Sequence, residues 1–440
     1  MRALALLACL AGVAHADALA PEDLARKNER GYVTGLPLFA YSTDIGFGAG
    51  ARGYYYWNGL RGDPRFARTP YLHRVFVQVF ASTRGIQFHW IDYDAPDVFD
   101  TPYRVRSQLI LQRNINQNYF GLGSRGLVPL AFPGAPGTYD SYAAYAEDQR
   151  SLQADGTTWG KYDQYHLLRP IGIASVERVF LDGHLHVLGG LGFTWAKIRD
   201  YTGDQVDAVD GDGNATTATM NTTRLRLDCD AGLLVGCEGG RDNYLRVGVS
   251  YDTRDFEPDP NRGTYTEVAI DVGTRALASE YEYVRMLAVA RGYWSPFPEH
   301  ADLVLAGRAL FQISSEGTPF FAMNTLPFLE DPRAGLGGHR TLRGYRQDRF
   351  VGPVMTLANA ELRWTFGHAQ KWNQKFAFFL VPIFDLGRTF DSVGDLGVSG
   401  WRASYGGAFR VSWNLATIVT FDYGRSSEDT GFYANFSHQF

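Results

Sequence analysis

Polar and apolar side chains alternate over short segments along most of this 440-residue chain. In residues 264–275, Thr266, Val268 and Ile270 share one face, whereas Glu267 and Asp271 share the other. The same period of two recurs at residues 103–114, 358–366 and 401–413. Because a strand places successive side chains on opposite faces, the pattern predicts an all-β protein whose strands each have one apolar and one charged face.

Composition bears on whether these strands cross a membrane, since a soluble all-β protein shows the same alternation. The chain is 45% hydrophobic and 14% aromatic, with 49 glycines, yet its mature part has no apolar run near the roughly 20 residues of a membrane helix. A transmembrane antiparallel β-barrel fits these features, with a soluble all-β secreted protein as the alternative. The aromatic residues favour the barrel, and ordinary core packing is the alternative interpretation of them. Aromatic residues end several predicted strands on the apolar face, where a barrel has its interfacial girdles: Trp294, Trp364, Phe366, Trp401, Trp413 and Phe440.

The N-terminus has the features of a secretory signal. Arg2 precedes an apolar run at residues 3–13, and Ala14-His15-Ala16 is a small-x-small cleavage pattern. A lipoprotein reading through Cys9 leaves almost no hydrophobic segment before the cysteine. We therefore predict a signal peptide at 1–16, a short periplasmic segment at 17–34 and an outer-membrane barrel at 35–440.

Alternating segments predict about sixteen strands, an even number as in bacterial barrels. If both termini are periplasmic, the long connections near 115–162, 199–241 and 314–352 all lie outside. The predicted strands lie near 35–42, 45–58, 71–82, 85–96, 103–114, 163–180, 182–198, 242–252, 263–275, 280–294, 299–313, 353–367, 374–386, 399–412, 415–424 and 431–440.

One motif lies within the sixth outer loop of this topology, and a second lies on a nearby predicted strand. The first is Gly337-Gly338-His339-Arg340-Thr341-Leu342-Arg343-Gly344-Tyr345, and the second is Val381-Pro382-Ile383-Phe384-Asp385-Leu386-Gly387. They resemble the BamA/TamA superfamily of outer-membrane proteins (bacterial surface antigen domain), in which a loop arginine meets a strand aspartate. The resemblance implies a long sixth loop folded into the lumen and locked there by Gly338, Leu342, Arg343, Gly344, Tyr345, Asp385 and Gly387.

Two further stretches carry the resemblance, one at 250–255 with 260–263 and the other at 36–50. The physical reading agrees with a lock, because an arginine inside a barrel needs a carboxylate for its planar donors. Asp385 should face the lumen, since Leu380, Pro382 and Phe384 take the lipid side. The alternative is that Arg343 extends into solvent from a mobile loop. In both readings the residue is structural and not catalytic.

The resemblance implies a membrane-embedded assembly or translocation factor that interacts with outer-membrane lipids and other membrane proteins. Insertases of this superfamily carry POTRA modules before the barrel, and the segment between residue 17 and the first predicted strand is too short for one. The chain is thus expected to be a barrel-only member. A passive pore is the alternative, lined by Arg104, Arg106, Arg285, Arg308, Arg363, Arg410, Glu267, Asp271 and Glu361.

Other functional signals are few. The sequence has no Gly-x-Ser-x-Gly or His-Glu-x-x-His motif, so an enzyme is disfavoured and no cofactor or metal is predicted. A net charge of -5 does not favour nucleic acid. Asp210-Gly-Asp-Gly-Asn214 is read as a solvated acidic loop, without the distal Glu of an EF-hand. Cys229 and Cys237 are predicted to form a disulfide in an oxidising compartment.

The last strand ends on an aromatic residue. Phe432, Phe436 and Phe440 share one face of the predicted strand 431–440. This resembles the C-terminal signal that the barrel assembly machinery reads during biogenesis, so Phe436 and Phe440 are its candidate residues. His89 and His339 are expected to be polar residues that face the lumen.

Overall fold

A computed structural model describes residues 28–66, 69, 71–257, 259–297, 302–329, 333–371, 374–413, 417–436 and 438–440. The predicted signal peptide at 1–16 and residues 17–27 of the following segment lie outside the described residues. The structure therefore begins just before the first strand.

Sixteen antiparallel strands close into a barrel, as the alternation predicts. Each pairs with its neighbours along the chain, and the last pairs with the first. In chain order they are β1 Gly31–Ser42, β2 Gly46–Trp57, β3 His73–Ser82, β4 Ile86–Ala95, β5 Tyr103–Asn118, β6 Gln164–Phe180, β7 Leu185–Arg199, β8 Tyr244–Asp252, β9 Gly263–Gly273, β10 Tyr283–Trp294, β11 Leu303–Ser314, β12 Val354–Lys371, β13 Gln374–Phe390, β14 Arg402–Trp413, β15 Thr417–Arg425 and β16 Thr430–Phe436.

The two faces of the wall differ as predicted. On β9, Val268 is 43% exposed on the outer face, whereas Glu267 and Asp271 are buried on the inner face. The outer apolar side chains are not covered by the described residues, as predicted for a surface that faces a membrane, while inner charged side chains pair with one another and with loops. The girdle aromatics Trp294, Trp364, Phe366 and Trp413 are exposed on the outer face.

Three predicted placements are wrong. His89 lies on the outer face of β4 beside exposed Ile91, because its neighbours Phe88 and Trp90 point inward. The last strand ends at Phe436, before residue 440. Phe440 is only 7% exposed and belongs to a buried cluster with Tyr293, so it is not a girdle residue.

The long connections between strands contain the helices and short strands. The helices are α1 Tyr142–Gln149, α2 Arg224–Asp230 and α3 Phe320–Met323, and no helix in the described part of the chain is long and apolar enough to traverse a bilayer. Single 3-10 turns lie at Pro64–Phe66, Val98–Asp100, Gly123–Leu127, Arg275–Leu277 and Val393–Asp395. Thr157–Thr158, Gln205–Val209 and Ala215–Met220 form a small sheet, Gly239–Arg241 pairs with β7, and Thr325–Leu326 pairs with Arg333–Ala334.

Connections 119–163 and 200–243 fold together. Their common core contains Phe132, Tyr145, Trp159 and Met220. Cys229 and Cys237 form a disulfide with a Cα–Cα distance of 6.0 Å. The connection at 315–353, between β11 and β12, instead contributes to a second core with the barrel wall: Leu326, Phe328, Leu336, Leu342, Tyr345 and Phe350 pack with Ala269, Leu287, Val289, Leu310, Met355 and Leu357.

The closing seam of the barrel is short. β1 pairs with β2 along its whole length, from Gly31 to Ser42. With β16 it pairs only through Tyr41 and Ser42, opposite Ala434 and Tyr433. Within the described residues, positions 31–40 of β1 therefore have no neighbouring strand on this edge.

A buried charge cluster around Arg343

The turn that carries Arg343 is shaped by its own hydrogen bonds. The Thr341 hydroxyl accepts from the Gly337 amide at 2.9 Å and lies 2.9 Å from the Gly335 carbonyl, to which it donates. The Gly338 amide donates to the Tyr345 carbonyl at 2.9 Å. These contacts fold the segment back on itself before it reaches the wall.

Gly344 permits a close approach between this turn and β15. Its φ of 91° lies in the left-handed region, and a Cβ there would come within 2.8 Å of Arg425 and Gly424 backbone atoms. A Cβ on Gly424 would likewise lie 2.6 Å from the Arg343 carbonyl carbon. Two glycines thus bring the backbone of the turn against the backbone of the strand. On β13, a Cβ on Gly387 would lie 3.0 Å from Leu342.

Arg343 is fully buried and bonds to Asp385 in a bidentate manner. Its Nε and Nη2 donate to the two Asp385 carboxylate oxygens at 2.9 and 2.7 Å. Its backbone amide donates to the same carboxylate at 3.1 Å. The Asn359 amide on β12 also donates to Asp385, at 2.7 Å, and to the Thr341 carbonyl at 2.8 Å. The structure therefore brings together the two residues that the motif resemblance paired.

The cluster is larger than this pair. Arg343 Nη1 also donates to Glu361 at 2.9 Å and to Asp422 at 3.3 Å. Arg410 donates to both Glu361 oxygens at 2.7 and 2.9 Å, and Arg363 Nε donates to Glu361 at 2.9 Å. All six charged groups are buried, and their formal charges cancel, three positive against three negative. We call these six residues the charge cluster: Arg343, Glu361, Arg363, Asp385, Arg410 and Asp422.

Sequence reasoning did not assign Glu361, Arg363, Arg410 and Asp422 to this cluster. Three of them were expected only as residues lining a pore, and Asp422 was not singled out. Their one signal was the polar face of alternating strands, which does not show which residues lie at the same height. As expected of pore residues, Arg104 and Arg106 are partly exposed, but Arg285, Arg308, Arg363, Arg410, Glu267, Asp271 and Glu361 are buried.

Other inner-face arginines hold the same connection through its backbone. Arg246 and Arg308 donate to carbonyls of Phe328 and Arg340 at 3.3 and 2.7 Å. Arg169 donates to the Phe321 carbonyl at 2.6 Å, and Arg285 to the Thr325 carbonyl at 2.9 Å. Charge-assisted bonds of this kind are about twice as strong as neutral ones. The connection is thereby tied to β6, β8, β10 and β11 as well as to the charge cluster.

The C-terminal residues also contact the cluster. Arg363 Nη2 donates to the Phe440 carbonyl at 2.8 Å. His438 contacts Arg410 at 2.7 Å and Asp259, in the turn between β8 and β9, at 2.8 Å. The segment after β16 thus turns to the inner side and does not extend the seam.

Two titratable groups of the connection are shifted by burial. Burial lowers the pKa of His339 to about 3, so this ring is neutral beside Tyr433. Burial raises the pKa of Asp348 to about 7. Its carboxyl oxygens lie 2.6 Å from the Gln117 amide nitrogen on β5 and 2.8 Å from the Gly335 amide nitrogen.

The Asp348 shift predicts a pH dependence of stability. Because its pKa is higher in the folded protein than the ordinary 3.8, Asp348 takes up a proton on folding. The contribution of this protonation to the free energy of unfolding is full below pH 3.8 and is lost as the pH rises through about 7. We expect the midpoint temperature of the heat-induced gel mobility shift to be lower at pH 8 than at pH 5. Asp348→Asn should reduce this difference between the two midpoint temperatures. Exposed Asp140→Asn is the control, and an unchanged difference in Asp348→Asn would contradict the assignment.

No group of three or more His, Cys, Asp or Glu side chains within the described residues is placed to hold a metal ion. In the 210–214 loop, Asp210 accepts backbone bonds from Asp212 at 3.0 Å and Asn214 at 2.8 Å. Its carboxylate therefore stabilises the turn itself.

Two protein families match the sequence. The family described as the Omp85 superfamily domain matches residues 185–440, and a domain of unknown function (DUF5982) matches residues 13–72. The first match begins at β7 and includes the whole charge cluster. Neither match is a POTRA module, and no curated protein matches the sequence.

Solved structures with the same fold include BamA and CdiB. BamA from Haemophilus ducreyi lacking POTRA domains 1–3 is 12% identical with a TM-score of 0.52, over 93% of this chain and 70% of that chain. CdiB from Escherichia coli is 12% identical with a TM-score of 0.51, over 92% of this chain and 62% of that chain. At these identities the similarity shows the fold alone.

Proposed function

Because the chain belongs to the Omp85 superfamily, we propose that it is an integral outer-membrane protein that assembles or translocates other membrane proteins or lipids. Export through a signal peptide at 1–16 is part of this proposal. It assigns the barrel no catalytic activity. The observation that carries it is the closing seam, where, among the residues that the structure describes, β1 pairs with β16 only through Tyr41 and Ser42.

An unpaired strand edge within a membrane is unstable. Backbone N–H and C=O groups that face hydrocarbon without partners cost several kcal/mol each, which is why membrane barrels close completely. Positions 31–40 of β1 therefore favour any strand that can pair with them. A client β-strand or a lipid headgroup region at this edge would supply the missing partners.

The connection at 315–353 has the complementary role in the proposal. We infer that it folds into the lumen and is locked there by the charge cluster, so that the lumen is closed while the seam can open. Support comes from Leu342, Arg343 and Tyr345, which are buried against wall residues. The arginine bonds to its carbonyls from four other strands support the same placement. These contacts disfavour the passive pore, because seven of the nine residues that would line it are buried.

Depletion of the protein, followed by quantitative outer-membrane proteomics, tests the function. If the protein is an assembly factor, its depletion should lower the amount of a subset of membrane proteins in the outer membrane. The purified barrel should show little single-channel conductance. A large steady conductance with an unchanged outer-membrane proteome would instead support the pore.

The terminal aromatics form a separate part of the proposal. Phe436 ends β16, and Phe440 is buried in the folded barrel. A biogenesis signal is read before the barrel closes, so burial in the folded state is compatible with that role. We expect Phe440→Ala to reduce the amount of heat-modifiable barrel in the outer membrane. Wild-type amounts of the barrel in the Phe440→Ala variant would show that Phe440 is not part of the biogenesis signal.

A further inference from the structure

One half of the inner wall has apolar side chains that the connection does not cover. On the other half, Leu287, Leu310 and their neighbours pack against the connection. Between the connection and the first six strands lies a cavity of about 390 Å³. Its lining is mixed, because Arg169, Arg340 and Asp348 line it together with several amide side chains. The apolar part of the lining consists mainly of Leu38, Phe80, Phe88, Trp90, Ile110 and Ile171.

The apolar part of this lining is unusual for the lumen of a membrane barrel. Inner faces of membrane barrels are polar because water contacts them, and apolar surface left in water costs roughly 25 cal/mol per Å². The volume falls in the range of small-ligand pockets, about 300–1,000 Å³, which are mostly apolar with a few polar groups. Ile110 and Ile171 form one apolar cluster of this wall, with Phe88 and Trp90 packed against it. An elongated hydrocarbon group matches such a surface.

A single arginine stands where this cavity meets a second one. Arg52 on β2 lines the apolar part of this cavity and also a polar cavity of about 370 Å³. Its Nε and Nη2 donate to the Gln78 amide oxygen at 3.1 and 2.7 Å, and its guanidinium carbon lies 5.3 Å from the Phe76 ring centroid. Its only polar side-chain partner in the described part of the chain is therefore a neutral amide.

The other arginines of the polar cavity differ in this respect. Arg74 contacts Asp92 at 2.6 Å, Arg104 contacts Asp94 at 2.6 Å, and Arg254 contacts Asp252 at 2.7 Å. Those charges are neutralised within the wall. No carboxylate within 4.0 Å neutralises Arg52 in the described residues, and a guanidinium binds carboxylates and phosphates in a bidentate manner.

The cavity also lies beside the short seam. Leu38 and Ala40 of β1 and Asn435 and Phe436 of β16 line it. Leu38 and Ala40 lie within the part of β1 that has no pairing with β16 in the described residues, and Asn435 and Phe436 follow the paired Ala434. A membrane lipid therefore has a lateral route to the cavity.

We propose that the barrel binds an anionic amphiphile with one hydrocarbon chain, such as a fatty acid or a lysophospholipid. The carboxylate or phosphate pairs with Arg52, and the chain lies along Phe88, Trp90, Ile110 and Ile171. The site does not depend on the proposed assembly function, because its evidence is the chemistry of the cavity.

Fluorescence titration with cis-parinaric acid tests the site in full-length protein held in amphipol without added lipid. We expect saturable binding of one molecule per chain, and at least tenfold weaker binding of the uncharged methyl ester. Arg52→Gln should make the acid bind as weakly as the ester. Linear, non-saturating partitioning, or equal affinity of Arg52→Gln and wild type for the acid, would overturn the proposal.

A matched pair of tryptophan substitutions on β5 tests the chain-binding wall. Ile110→Trp fills the cavity and should abolish saturable binding, whereas Leu111→Trp on the outer face should bind like wild type; both should retain the heat-induced mobility shift. Equal binding by both folded variants would contradict the placement.

Displacement of bound cis-parinaric acid distinguishes the two ligand classes. Displacement by oleate alone identifies a free fatty acid, and displacement by lysophosphatidylglycerol alone identifies a lysophospholipid. Displacement by neither overturns the assignment.

Discussion

Arg343→Ala is expected to destabilise the barrel by about 3–5 kcal/mol, the cost of leaving buried carboxylates unpaired. The substitution leaves Glu361, Asp385 and Asp422 with only Arg363 and Arg410, so the cluster has one excess negative charge. Urea unfolding in lipid vesicles, followed by tryptophan fluorescence and gel mobility, measures the loss. If the connection folds into the lumen as we propose, single-channel conductance should also rise when the substitution releases it.

The matched control is Arg226→Ala. Arg226 forms an exposed pair with Asp230 in the connection between β7 and β8, and exposed pairs contribute only about 0–1 kcal/mol. Asp385→Ala should cost less than Arg343→Ala, because Arg343 keeps Glu361 and Asp422 as partners. Since the double variant restores neutrality, its loss should be smaller than the sum of the two single losses. Strictly additive losses would show that the two residues do not interact.

Gly424→Ala is expected to have a similarly large effect without removing any charge. The added Cβ would lie 2.6 Å from the Arg343 carbonyl carbon and 2.7 Å from its Cβ, so the turn must move away from β15. Overpacking costs about 1–3 kcal/mol, and the movement also lengthens the bonds from Arg343 to its carboxylates. The same unfolding and conductance measurements apply.

Gly292→Ala on β10 is the control for the glycine variant. A Cβ at Gly292 meets no atom within 4 Å, so its stability should stay within about 0.5 kcal/mol of the wild type. A Gly424→Ala protein as stable as Gly292→Ala would show that the turn does not pack against β15.

The strand pattern was readable from the sequence because each strand has a membrane face and an inner face. The same rule failed where that contrast reverses. On β4, Phe88 and Trp90 point inward, so the polar outer residue His89 was assigned to the wrong face. At the C-terminus, alternation continues to residue 440, but Arg308 and Arg363 stack on the Phe440 ring, 5.0 and 5.5 Å from its centroid, and it lies inside.

The charge cluster was predictable only in part. Arg343 and Asp385 belong to a motif pair whose resemblance suggested contact. Glu361 and Asp422 join them because the strand registers set β12, β13, β14 and β15 at matching heights, with Asn359 opposite Asp385 and Ala408 opposite Asp422. Alternation gives the face of a residue but not its height, since the stagger of neighbouring strands depends on the closed barrel.

We propose that the seam between β1 and β16 opens during function while the rest of the wall stays closed. A disulfide between Tyr41→Cys and Ala434→Cys, which are register partners, would lock that seam. Val268→Cys with Ala288→Cys, partners across β9 and β10, gives a lock in a fully paired part of the wall. In cells that depend on each variant, we expect oxidised seam-locked protein to lower the outer-membrane protein content and reductant to restore it, with no change for the control lock. Full activity of the oxidised seam lock would contradict the account.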